Sequence, residues 1–89
     1  MGFIKDMKVS SMQAEARKAH DGGQWLFAAV LNSPGSRLDM SGEVKDWSLM
    51  LQAVEECGWY VDRFSSASDR QGRPALNVLF RRRPERDRV

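Results

Sequence analysis

The chain of 89 residues, 10.1 kDa, is the size of one small domain, enough for a single hydrophobic core and too little for two. With 42% apolar and 29% charged residues, its composition matches ordinary globular proteins and excludes global disorder. The net charge of +2 is unevenly placed: residues 81–89 carry five arginines against two acids, a local +3, whereas residues 1–80 hold nine basic against ten acidic side chains. The body is therefore near neutral, and the basicity belongs to the closing segment. No apolar run reaches the ~18 residues of a membrane span, and Met1–Asp6 lacks the apolar stretch of a secretory signal. One cysteine cannot close an intrachain disulfide, which fits a reducing, cytoplasmic setting.

Along the chain, Phe3, Ile4 and Met7 share one side of a helical wheel, while Val9, Met12, Ala16 and Ala19 fall about 180° away. That shift predicts a break near Met7–Ser10, making residues 1–9 a separate hydrophobic flap. Ser10 with Gln13 three residues later matches a capping box, so the first helix is expected from about Ser11 to His20, closed by Asp21-Gly22-Gly23. Gln24–Asn32 then reads as a strand bounded by turn signals. It is apolar on both sides, with Trp25, Phe27, Ala29 and Leu31 on one and Leu26, Ala28 and Val30 on the other. A strand with one wet face alternates with polar residues, so both sides are expected to be covered, by the N-terminal helix or by a second copy of the chain.

After a polar loop at 33–43, Val44, Trp47, Met50, Leu51 and Val54 follow helical spacing to about Cys57, and Gly58 is the natural stop. Trp59–Phe64 reads as a strand fraying into Ser65–Ser68, Asp69–Pro74 as a turn, and Ala75 to about Arg83 as an alternating strand with Leu76, Val78 and Phe80 on one face. The order α-β-α-β-β predicts an α+β fold. A right-handed crossover leaves a gap between the first two strands that the third fills antiparallel, giving strand order 1-3-2 in a mostly antiparallel three-stranded sheet, half of a ferredoxin-like sheet. Residues 10–83 form the domain and 84–89 a basic tail.

Several short motifs carry a resemblance. Leu31-Asn32, Ser41-Gly42, Glu55-Glu56-Cys57-Gly58-Trp59, Gln71-Gly72-Arg73 and Leu79-Phe80-Arg81-Arg82 are similar to a group of short actinobacterial proteins of unknown function. More distantly, Gly58-Trp59 and the closing Phe80-Arg81 resemble small β-α-β-β domains. The resemblance spans nearly residues 10–83; it implies the fold and carries over no activity, cofactor or site.

Chemistry-bearing residues are sparse. His20 and Cys57 are the sole histidine and thiol, each placed in the last turn of a helix; a helix C-terminus disfavours the thiolate that catalysis needs. Glu55 and Glu56 are adjacent and point to different sides of a helix, which suits amide binding in the following turn better than a shared metal or proton. No metal-ligand spacing and no phosphate-binding glycine loop is present in the sequence, so no metal or cofactor is expected. Trp25, Trp47 and Trp59 occupy apolar-periodic positions and are expected as core pillars.

The leading expectation is a non-enzymatic module that self-associates, as a homodimer or with another protein, through Leu26, Val30, Tyr60 and Phe64 on one sheet face. A second reading, a nucleic-acid accessory protein, rests on phosphate contacts from Arg81, Arg82 and Arg83 with Arg70 and Arg73 of the neighbouring turn. A third is a small-ligand carrier with an aromatic pocket between the second helix and the sheet.

Overall fold

A computed structural model of the chain describes residues 2–32 and 42–84, with side chains from Val9 onward. The elements are α1 (Gly2–Asp21), β1 (Leu26–Leu31), α2 (Lys45–Glu55), β2 (Trp59–Ser68) and β3 (Pro74–Arg82). The strands form one antiparallel sheet in the order β1-β3-β2, the α+β arrangement expected from the pattern.

The expected break in the first helix does not occur. α1 runs without interruption from Gly2 to Asp21. The turn of the apolar stripe near Met7–Ser10 contains neither glycine nor proline, and a serine inside a helix costs only about 0.5 kcal/mol, too little to end one. Ser10 therefore does not cap. Gln13 instead donates through Nε2 to the Ala53 carbonyl (3.3 Å) and to Glu56 Oε1 (3.2 Å), tying α1 to the end of α2. The side chains of Phe3, Ile4 and Met7 lie outside the described residues. Downstream, the predicted stripe is the one used: Ala16 and Ala19 are buried, with Val9 and Met12 packed against the core.

α1 ends in a Schellman motif. Gln24 N–H donates to the Ala19 carbonyl and Gly23 N–H to that of His20, with Gly23 at φ +87°. α2 presents Met50, Ala53 and Val54 to the core. Cys57 lies beyond its last turn, and its thiol faces the carbonyls of Gln13 and Ala53 at 3.6 Å.

Both helices pack on one side of the sheet. Phe27 and Leu31 of β1, Val78 and Phe80 of β3 and Trp59 of β2 are buried there. Phe27 stacks on Trp59 with ring centroids 5.7 Å apart, and Trp59 Nε1 donates to the Ala16 carbonyl at 3.0 Å, so this indole is both apolar core and a satisfied donor. Trp47 is half-buried, its Nε1 donating to the Asn32 carbonyl at 2.8 Å. Trp25 departs from expectation. β1 begins one residue later, and Trp25 is 83% exposed.

Candidate interaction surface

Cross-strand partners share a face of the sheet, so the register sorts every side chain. Against the helices lie Phe27 with Phe80, and Ala29 with Val78. The opposite, open side carries three rows. Leu26, Arg81 and Tyr60 form the first; Ala28, Leu79 and Arg63 the second; Val30, Asn77 and Ser65 the third. The second and third rows border a shallow trough of about 490 Å³, with the backbones of Ala29, Val78 and Phe64 running between them. This hollow lies across the sheet from α2, whereas the ligand-carrier reading places its pocket between α2 and the sheet.

Of the four residues expected on one sheet face, three are on the open side: Leu26 (42% exposed), Val30 (56%) and Tyr60. Phe64 is not with them. The register shifts between Val61 and Arg63, inserting Asp62 as an extra residue, so Phe64 pairs with Val78 and falls on the helix side. It nonetheless remains exposed, because neither helix reaches it. The bulge also aims Asp62 at Arg81, whose Nε donates to Oδ2 at 2.8 Å. Asp62 has no apolar periodicity to betray this role. Its only trace in the sequence is an acid within a strand two residues beyond an aromatic.

The arginines do not form one patch. Arg70 and Arg73 sit in the β2–β3 turn, whereas Arg81–Arg83 lie at the other end of β3, about 27 Å away at a rise of ~3.4 Å per residue. Most are engaged within the fold. Arg73 Nε meets Asp69 Oδ2 at 2.8 Å. Arg82 donates through Nη2 to the carbonyls of His20 (2.8 Å) and Gln24 (2.7 Å). Its Nη1 also lies 3.1 Å from His20 Nε2, and the guanidinium carbon lies 5.6 Å from the Trp59 ring centroid. Arg83 donates to the Trp59 carbonyl at 3.0 Å. The guanidinium of Arg82 thus joins the Gly23 amide on the His20 carbonyl and reaches the Gln24 carbonyl just beyond α1, where a cation also meets the negative pole of the helix. Arg70 is exposed in its turn. The residues beyond 84, including the remaining arginines of the tail, lie outside those described.

His20 is held rather than free. Its ring meets Trp59 edge-on at 5.6 Å, and its Nε2 lies 3.1 Å from Arg82 Nη1. Glu55 Oε2 accepts from the Val61 amide at 3.4 Å, an amide of β2 and not of the turn after α2 where one was expected, while Glu56 accepts from Gln13 and Gln52. Among the described residues no three His, Cys, Asp or Glu side chains come together as metal ligands, and no helix is long and apolar enough to cross a membrane. Sequence reasoning missed Trp25 as a surface residue. The signal was present in Gly22-Gly23, since a Schellman turn delays the strand until Leu26 and frees the residue before it from the pleat. In comparisons with known proteins, no family model, curated protein or solved structure matches the chain.

Proposed function

We propose that the chain is a non-enzymatic interaction module of the cytoplasm that self-associates through the uncovered side of its sheet. One observation carries this reading: both helices pack on the Phe27–Phe80 side, leaving Leu26 and Val30 in water on the other. Burying a side chain of this kind stabilises by about 1.5–3 kcal/mol, so two copies that cover this area gain what the monomer forgoes. The nucleic-acid reading is weakened by the same geometry, because Arg73, Arg81, Arg82 and Arg83 are spent on partners within the fold.

Light scattering from low micromolar to millimolar concentration tests the proposal. The expected mass rises from 10.1 kDa toward twice that value, and Val30→Lys, at an exposed position, stays monomeric with an unchanged circular dichroism spectrum. A wild-type mass of 10.1 kDa across the whole range overturns it.

A further inference from the structure

The two edges of the sheet differ in a way that points to how the copies meet. β2, one edge, carries the devices that keep edges from pairing: a bulge at Asp62, the charged Arg63, and a polar Ser65-Ser66 stretch. β1, the other edge, carries none. Leu26–Leu31 is Leu-Phe-Ala-Ala-Val-Leu, with no charge, proline or bulge, and among the described residues no strand lies beyond it. An edge of that kind is a template for another strand.

We infer that β1 pairs antiparallel with β1 of a second copy about a two-fold axis, joining two three-stranded sheets into one of six. This rests on the self-association proposed above and places the contact at the β1 edge, where Leu26 and Val30 of the open side meet side by side. Identical strands related by a two-fold axis pair antiparallel, and the same patch serves both copies. Side-chain parity then restricts the register. Partners must lie on the same face, so the axis passes at a residue and not between two. Centred on Ala28, it sets Leu26 opposite Val30 of the second copy on the open side, and Phe27 opposite Ala29 on the helix side, each a large residue against a smaller one. Centred on Ala29, it sets Leu26 against Asn32 and crowds Phe27 against Leu31. The first register uses both exposed aliphatic side chains and is the one assigned.

Charge agrees with a second copy as the occupant, and area limits how tightly it binds. Residues 25–31 are uncharged, so two copies meet there without opposing like charges. A ladder of this length, about 17–20 Å, is flanked at each end by the exposed Trp25, which offers on the order of 200 Å². That is below the ~1,200–2,000 Å² of stable pairs and sets the expectation of reversible, micromolar association.

Amide hydrogen exchange read by NMR at two concentrations tests the register. In the monomeric Val30→Lys variant, only the β1 amides that point to β3 are slow, every other residue. In wild-type protein at a concentration where nine-tenths of chains are paired, every amide from Leu26 to Val30 is slow, the outward ones by about tenfold relative to dilute protein. In a Cys57→Ser background, Ala28→Cys forms an intermolecular disulfide on mild oxidation, because Cα atoms of an opposed pair stand about 4.5–5.5 Å apart. Ser65→Cys, remote from the β1 edge, does not. A dimer that keeps the alternating exchange pattern, or that cross-links through Ser65→Cys in preference to Ala28→Cys, overturns edge pairing and leaves self-association through the sheet face standing. A chain that stays monomeric overturns both.

Discussion

Gly58 shows how much one residue position can hold. Its place after α2 marks it as a helix stop, and φ is indeed +97°. The packing adds a second demand. A Cβ there would stand 2.5 Å from His20 Nε2, the ring that Arg82 and Trp59 hold in place. Gly58→Ala is expected to cost at least about 1–2 kcal/mol from the left-handed backbone alone, with the displaced imidazole adding to it. Urea unfolding measures the loss; a change under about 0.5 kcal/mol, the size of an ordinary surface substitution, would contradict the crowding. The tryptophans teach a related lesson. Trp59 and Trp25 are the same residue type at apolar-periodic positions, yet one is fully buried and the other lies 83% exposed. Periodicity holds only within an element, and Trp25 precedes β1.

At the scale of elements, the β2–β3 turn is the clearest case of local chemistry dictating structure. Asp69 Oδ1 accepts from the amides of Gln71 and Arg73, both at 2.9 Å, and Gly72 takes φ +79°. These are the residues that read as a turn from composition. The Arg73 amide, with its guanidinium and the Gln71 amide, favours the charged carboxylate and holds Asp69 below its ordinary value of 3.8. Because the folded value is depressed, its contribution to stability is present above pH 3.8 and is lost as pH falls through the lower folded value. An NMR titration of the Asp69 carboxyl carbon should therefore show a midpoint under 3.8, raised but not fully restored in Arg73→Ala, which removes the guanidinium and keeps the Arg73 amide. A midpoint at or above that value would contradict the turn geometry. Other element boundaries were less legible. The apolar stripe of α1 changes sides without breaking the helix, since side-chain patterning says which face packs but the backbone needs a proline, a glycine or a competing cap to stop. The bulge at Asp62 left no pattern to read, and it moved Phe64 from the predicted face to the other.

For the whole molecule, strand order and helix placement follow from connectivity. A β-α-β crossover leaves a central slot, and β3 occupies it, paired with both neighbours. Because both helices then lie on one side, the apolar residues of β1 that face the other side find no cover within the described fold. This is where self-association acquires a thermodynamic signature. A partner that binds only the folded chain stabilises it by mass action, so the midpoint of thermal unfolding should rise with protein concentration for wild type and stay constant for Val30→Lys. A concentration-independent midpoint in wild type would argue that the sheet is not covered by another copy.

The sequence by itself determined the element types, the strand order 1-3-2, the grouping of Phe27 with Leu31 and of Val78 with Phe80 on single strand faces, and the two-sided apolarity of β1. Each depends on local periodicity or on chain connectivity, which a linear text carries. Only the tertiary structure decided that α1 and α2 share one side of the sheet, that Arg82 is consumed by the carbonyls of His20 and Gln24, and that Phe64 and Tyr60 part company across a bulge. Those outcomes turn on which surfaces meet, on contacts between residues up to 62 positions apart, and on a one-residue change of register, none of which leaves a period in the sequence.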